Sequence, residues 1–504
     1  MINNIIESIQ KHQDRNAFYI KGRHYTYKDV GIKITDIKTA LLPHLHTINP
    51  KHIGVIINED FESYVSCISV LLCGYGYVPL NPLSPNERNF ETIQQAEIKV
   101  ILTSHKTEND IFYKDKGVNV IYTNDITKGE LNLEFPSTND LDPAYVIFTS
   151  GSTGKPKGTP LSRANLNAFL ESVWLLNWKI DENDRFLQMS SMTFDMSILT
   201  FIIPLCVGAC IYTVPEYEIK YMYGLQLMIE HEITFIAVVP STLSFLKPYF
   251  GEISLSSIRY SLVCGEAFPI ELAKLWQECA PSSQIINIYG PTEATVFTHS
   301  YVYKDGVNEK EYNNIMALGD LVKNIEGIIL DDSGKEVSVG DKGELCISGT
   351  QLTGGYLLNP QKNAESFFEY NKDGMNKRFY RTGDIVFIDN ENTYFYVGRK
   401  DTQVKIQGHR VELGDVEKNA RDITKTEKTI AIALKNSMGN YYIHLFVQGN
   451  NILKAEIIEF LKGRIPYYMI PSKVTFLEII PLNANGKVDK IALAKIAQSL
   501  ENTI

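Results

Sequence analysis

Cysteine is sparse. The seven present in 504 residues, Cys67, Cys73, Cys206, Cys210, Cys264, Cys279 and Cys346, are odd in number and scattered, with no C-x-x-C pair. That pattern indicates neither a disulfide framework nor a structural zinc site, and a reducing cytoplasmic setting is expected. Positive charge is not in excess either: 49 Lys+Arg against 59 Asp+Glu leave a net charge of −10, which argues against a chain that coats nucleic acid. Low-complexity tracts, internal repeats and long Pro/Gly linkers are missing. The most apolar stretch, Ile198 to Val214, approaches membrane-spanning length but carries Pro204 and Gly208. It is expected to be a buried helix breaking at Pro204 and feeding a strand, Ala209–Val214. The N-terminus has Ile2, Ile5, Ile6 and Ile9 at helical spacing with Glu7, Gln10 and Lys11 between them, so it predicts a surface helix and not an export signal. A soluble protein without a membrane span is expected.

What is present is core-forming material: 44% of residues are apolar, enough to bury a large core in each of about three domains at the usual domain size. Short apolar runs (Ile53–Ile57, Val100–Leu102, Val118–Tyr122, Ile211–Val214, Phe235–Val239) alternate with helical patterns such as Tyr64–Cys73 and Leu225–His231, which predicts α/β architecture with largely parallel sheets. Past residue 310 the texture becomes short strands between Gly, Asp and Asn turns (Gly327–Leu330, Gly343–Ser348, Tyr394–Val397), a β-rich subdomain over about 310–400. After Gly398-Arg-Lys-Asp401 mixed α and β returns: a helix near Leu413–Arg421, strands Thr429–Leu434 and Tyr441–Gln448, and a helix near Leu453–Arg464. The expected division is therefore 1–400, a large N-terminal domain of layered α/β sheets, and 401–504, a small mobile α+β domain.

The densest chemical signal is Tyr145-Val-Ile-Phe-Thr-Ser-Gly-Ser-Thr-Gly-Lys-Pro-Lys-Gly158, a strand running into glycines, hydroxyls and two lysines. Glycine lets backbone amides turn inward, hydroxyls donate, and lysine offsets charge, so such a loop can wrap phosphate. It is not a Walker loop, because the spacing before a Gly-Lys-Ser/Thr ending is wrong, and a plain flexible turn stays open as the competing account.

This loop resembles the phosphate-binding signature of adenylate-forming enzymes, and further segments follow in the matching order. They are Asn287-Ile-Tyr-Gly-Pro-Thr-Glu-Ala-Thr295, Tyr380-Arg-Thr-Gly-Asp384, Gly398-Arg-Lys-Asp401, Val404-Lys-Ile-Gln-Gly-His-Arg-Val-Glu-Leu-Gly-Asp-Val-Glu417 and Pro481-Leu-Asn-Ala-Asn-Gly-Lys-Val-Asp489. The resemblance runs from Tyr25 to about Asp489. Phe194-Asp-Met-Ser197, Gly343-Glu-Leu-Cys-Ile-Ser-Gly349 and Tyr468-Met-Ile-Pro471 are most similar to amino-acid-activating members: adenylation domains of nonribosomal peptide synthesis and D-alanine:carrier-protein ligases.

The resemblance implies two half-reactions. A carboxylate attacks the α-phosphate of ATP, giving an acyl-adenylate and pyrophosphate; a phosphopantetheine thiol then takes the acyl group. It implies Lys487, Arg399 and Thr153 as catalytic residues, with the Lys487 cation offsetting repulsion between the two reacting anions. Nucleotide binding falls to Thr149, Ser150, Gly151, Ser152, Gly154 and Lys157, to Gly265, Glu266 and Ala267, to Asn287, Tyr289, Gly290 and Thr292, and to Asp384. In this scheme Tyr289 stacks on adenine, Asn287 offers a polar edge, and Asp384 accepts from the ribose hydroxyls. Glu293 is the implied Mg²⁺ carboxylate. Each has a plainer alternative: Lys487 as a turn lysine after Asn485-Gly486, Asp384 bonding its own turn, Arg399 on the surface, Tyr289 as a core aromatic on a strand Gln284–Tyr289, and Glu293 capping a helix.

By the same resemblance Asp195 pairs with a substrate α-ammonium, and Met196, Leu199, Val238, Leu262, Cys264, Ile288, Val296 and Phe297 line the side-chain pocket. Apart from the thiol these are apolar, which favours a small or medium uncharged side chain; Cys264 in Cys-Gly-Glu resembles the D-alanine ligases, and the Met196, Leu199, Leu262, Ile288 and Val296 set resembles L-proline-activating enzymes, so the resemblance implies D-alanine or an L-proline-like substrate. The alternatives are Asp195 as the N-cap of the next helix and the apolar residues as ordinary core. Asp401 is the implied hinge, and Lys405 and Gly408 the thiolation tunnel, with Gln407 replacing the usual arginine. His409, in the same loop, is read as structural or solvated and not catalytic. The chain ends about 15 residues after Asp489, so a free-standing monomeric ligase serving a separate carrier protein is expected. Arg410, Lys418 and Arg421 are candidates for a carrier-facing patch, with a solvated helix face as the alternative. Two other functions stay open: an acyl- or aryl-CoA ligase, and a non-catalytic ATP-binding module.

Overall fold

The computed structural model describes residues 2–126, 129–150, 156–215, 219–304, 306–307, 309–401, 403–449, 452–483 and 488–501. The chain divides into two compact units. One comprises residues 1–82, 92–148 and 158–400; the other gathers 83–91 and 149–157 with 401–504. Among the described residues no helix is long and apolar enough to cross a membrane.

The first unit is built on three large sheets, beside a two-stranded pairing of Glu311–Tyr312 with Ile315–Met316. A nine-stranded sheet runs in the order Asp320–Leu321, His299–Val302, Gln284–Tyr289, Tyr260–Val263, Phe235–Val238, Arg185–Gln188, Cys210–Thr213, Asn16–Ile20, Arg23–Thr26. Its six inner strands are parallel and its edges antiparallel. A six-stranded sheet has His52–Ile56 and Gly76–Leu80, both wholly buried, near its centre. Buried on both faces, such strands read as the continuous apolar runs seen in the sequence. The third sheet is antiparallel: Ile325–Leu330, Gly343–Gly349, Met375–Ile388 and Phe367–Lys372 in order, with Tyr394–Arg399 also paired to Met375–Ile388.

Two local expectations are corrected. The helix Ser197–Val207 does not break at Pro204; it continues one more turn and ends at Gly208 in the left-handed conformation. The Pro204 carbonyl accepts from the amides of Gly208 and Ala209 and from the Tyr27 hydroxyl, so the last turn is held although proline donates nothing. The N-terminal helix, Asn4–Lys11, is also more than a surface element: Ile2, Ile5 and Ile9 are fully buried, and it packs on Ser197–Val207.

The second unit contains a hairpin, Gln403–Ile406 with His409–Glu412, and a three-stranded sheet, Thr429–Lys435, Tyr441–Gln448, Lys473–Leu477. Helices Leu413–Thr424 and Lys454–Lys462 contribute Val416, Ala420, Ile457 and Leu461 to the unit's core with Leu445 and Val447. The hairpin turn is Gln407-Gly408, with φ of 51° and 79°. Two consecutive positive φ values are what a two-residue type I′ turn demands, and glycine accepts the second without penalty.

Candidate active site

Parallel α/β sheets present ligands at the carboxyl ends of their strands, and that edge of the nine-stranded sheet collects many of the residues expected from the sequence. Val238, Cys264 and Tyr289 lie at or just beyond the ends of three adjacent strands. Beyond Tyr289 the chain doubles back, the Thr298 amide donating to the Tyr289 carbonyl. A Cβ at Gly290 would meet the Phe297 Cα at 2.4 Å, so only glycine permits that approach. Thr295 and Val296 inside the turn are held at φ of 54° and 73°. A β-branched residue in that region costs on the order of 1–3 kcal/mol, strain of the kind concentrated at functional sites. The Thr295 hydroxyl is tied to the Gln351 carbonyl at 2.6 Å.

Tyr289, Asp384 and Arg399 form one buried polar cluster. The Tyr289 hydroxyl donates to Asp384 Oδ2 at 2.5 Å, and Arg399 donates to Oδ1 at 2.7 Å. Burial, then the Asp384 charge, push the Tyr289 phenol well above its ordinary pKa, so it is a fixed donor. Asp384 is not in a turn. Thr382-Gly383-Asp384 is a bulge in the strand Met375–Ile388, with Gly383 at φ 73° and the Thr382 hydroxyl bonded to the Leu345 carbonyl. Asp384 is the direct cross-strand partner of Arg399, which is why the two charges meet. Arg399 is accordingly no surface residue, its side chain being 11% exposed.

Glu293 sits in the short turn Thr292–Ala294, fully buried, and its Oε1 accepts from the Tyr356 hydroxyl at 2.6 Å. Asn287 donates to the Ala317 carbonyl. Gly265 takes a left-handed conformation (φ 84°) after Cys264, and the Glu266 carboxylate before Ala267 accepts from the Ser241 amide and hydroxyl at the start of the helix Pro240–Leu246. Glu266 thus holds a helix N-terminus.

The apolar set divides by face. Leu199, Leu262, Ile288, Val296 and Phe297 belong to one core cluster, with Met196 and Cys264 packed against it. Val238 lies on the opposite face: it pairs with Val263, and both belong to the other large cluster. Phe297 packs edge-on against Phe169, as core aromatics do. The Cys264 thiol donates to the Met196 thioether, with 2.8 Å between the sulfurs. Asp195 does not occupy the N-cap of the following helix; Met196 does. Its charge helps raise the pKa of buried Tyr145, after the larger effect of burial.

In the second unit Ser150 donates to the Arg410 carbonyl at 2.6 Å, and Lys157 lies 3.6 Å from Glu412 with both side chains buried. The Thr149 hydroxyl, also buried, has no hydrogen-bond partner among the described residues. Asp401 accepts from the Gln403 amide, and Lys405 and Gly408 belong to the hairpin. His409 stacks on Tyr468 with centroids 3.9 Å apart, a structural contact. Arg421 is ion-paired to Glu417 and Glu427, so it is not an unengaged basic group. Gly151, Ser152, Thr153, Gly154 and Lys487 lie outside the described residues.

Residues 5–357 match the family described as AMP-binding enzyme. The chain belongs to this adenylate-forming family. Tyrocidine synthase 1 of Brevibacillus parabrevis is 29% identical over 97% of this chain and 44% of its own length. Gramicidin S synthase 2 of Brevibacillus brevis is 29% identical over 97% of this chain and 11% of its own. The chain thus spans less than half the length of these curated relatives. Its fold is that of the Vibrio cholerae adenylation domain AlmE, solved in complex with glycyl-adenosine-5′-phosphate: TM-score 0.85, 25% identity, 99% of this chain and 97% of that one. ATP use is expected of the family.

Sequence reasoning did not find three residues that brace the family's expected binding residues: Tyr356 on Glu293, Glu412 beside Lys157, and Thr382, which supports the bulge before Asp384. Tyr356 and Glu412 lie far along the chain from the residues they touch. Thr382 alone carried a local signal, standing two residues before Asp384 in the segment Tyr380-Arg-Thr-Gly-Asp384.

Proposed function

We propose that this chain activates an amino acid: its carboxylate attacks the α-phosphate of ATP, pyrophosphate leaves, and a carrier-protein phosphopantetheine thiol then displaces AMP from the acyl carbon. Residues 1–400 would bind nucleotide and amino acid, and 401–504 would bring Lys487. The observation that carries the amino-acid reading is Asp195, a partly exposed carboxylate one residue before Met196 at the rim of an otherwise apolar set. An anion there suits an ammonium group and disfavours a fatty acid. Asp384, fixed by Tyr289 and Arg399, retains acceptor capacity on each oxygen for ribose hydroxyls. The unpartnered Thr149 hydroxyl is a donor available to a phosphate oxygen.

Among the described residues no group of three His, Cys, Asp or Glu side chains could hold a metal ion. Glu293, the one candidate carboxylate, has the oxygen-donor chemistry a Mg²⁺ ion on substrate phosphates would call for, but it is fully buried and bonded to Tyr356, so its observed position does not present it to such an ion. Lys487 would stabilise the charge developing between carboxylate and phosphate, and Arg399 would hold Asp384 in place.

Amino-acid-dependent ATP–pyrophosphate exchange tests the first half-reaction without the carrier. Asp195→Ala is expected to raise the KM for the amino acid by ~10-fold or more while leaving the KM for ATP unchanged, as loss of a charge-assisted contact predicts. An unchanged amino-acid KM removes the ammonium pairing. Exchange driven only by amine-free acids moves the chain to the acyl- or aryl-CoA ligase reading.

A further inference from the structure

Along the apolar set, exposure falls off abruptly. Asp195, Met196 and Cys264 are each partly exposed, whereas behind them Leu199 and Leu262 have no accessible surface and Ile288 has 2%. A void wide enough for a water molecule leaves accessible surface on the side chains around it, and these three have essentially none. The reachable space therefore stops at Met196 and Cys264, whose sulfurs touch each other and which both pack against the cluster those three residues belong to. Three buried residues of branched shape, packed in one cluster, cannot admit extra methylenes without strain.

We propose, resting on the amino-acid reading above, that the substrate is an α-amino acid with a side chain no larger than a methyl group, glycine or alanine, and that the Met196–Cys264 contact sets this limit. Proline and the branched apolar amino acids are excluded because their side chains would have to occupy the space the two sulfurs fill.

The test is ATP–pyrophosphate exchange by the full chain with glycine, D- and L-alanine, L-2-aminobutyrate, L-proline, L-valine, benzoate and octanoate. Glycine or alanine is expected to have the highest kcat/KM, with a drop of ~10-fold or more for each carbon beyond the methyl. A preference for proline, valine or aminobutyrate overturns the size limit while leaving amino-acid activation standing. Exchange with benzoate or octanoate alone overturns amino-acid activation itself. Met196→Ala is expected to raise the aminobutyrate-to-glycine ratio of kcat/KM by ~10-fold, and Cys264→Ala to raise it less. If both variants exchange with glycine and neither ratio moves, the sulfur contact is not what sets the limit.

Discussion

The polar cluster around Asp384 and the apolar cluster around Leu262 are both buried, yet they are held by opposite kinds of physics. Asp384 is 5% exposed, with a phenol and a guanidinium aimed at its two oxygens. Leu262 is fully buried and directs nothing; it fills space between strands and helix. A polar cluster is directional, so losing one member leaves the others unsatisfied. An apolar cluster is volumetric, so losing one member leaves a hole whose cost depends on how far the walls relax. Recognition of ribose calls for the first kind of site, and exclusion by size calls for the second.

Substitutions separate the two regions. Asp384→Ala removes the carboxylate to which Arg399 and Tyr289 both donate and is expected to cost ~3–5 kcal/mol, as breaking a buried pair does; urea unfolding measures it, and the KM for ATP should rise together with it. Leu262→Ala is expected to cost ~2–5 kcal/mol through its cavity while leaving the KM for ATP unchanged. Equal effects of the two on that KM would erase the distinction between the regions. Tyr289→Phe removes only the hydroxyl bonded to the carboxylate, with an expected loss of ~1.5–3 kcal/mol, again read by urea midpoint.

The remaining test is a pH dependence beside the polar cluster. His299 packs edge-on against Tyr289, with its Nδ1 2.9 Å from the Thr298 hydroxyl, and burial pulls its pKa from 6.5 down to about 3. The unfolded chain therefore takes up this proton first as the pH falls. Stability from the neutral ring is complete above pH 6.5 and is lost towards pH 3, by about 1.4 kcal/mol per pH unit across that window. Melting temperatures from pH 7 to 4 should fall less steeply for His299→Phe than for the parent. A parallel slope would mean that other groups account for the acid sensitivity.

Much of the secondary structure was legible from periodicity. The expected strand Ile53–Ile57 is observed as His52–Ile56, Phe235–Val239 as Phe235–Val238, and Tyr441–Gln448 with its bounds unchanged. Such runs were readable because burial on both faces leaves a continuous apolar mark. The errors came where a local rule was outvoted by distant contacts. Pro204 breaks helices in isolation, but here the helix is buried from Ser197 to Cys206 and packs on the Asn4–Lys11 helix, far away in the chain. The Thr-Gly-Asp segment has turn composition, yet it is a bulge because the strand Gly343–Gly349 pairs on both sides of it.

The sequence by itself determined the chemical inventory and its order: a hydroxyl- and glycine-rich loop after a strand, an acid before an apolar helix, an Asp after Thr-Gly, an Arg before Lys-Asp, and a Gln-Gly pair at 407–408. Those are properties of residue type and short spacing, which the local backbone expresses directly. Only the tertiary structure decided that Tyr289 bonds Asp384, that Tyr356 braces Glu293, that Val238 faces away from Leu262, and that the Met196 and Cys264 sulfurs touch. These depend on strand order, pleat and side-chain volume summed over segments far apart in sequence, and no short window of the chain contains that information.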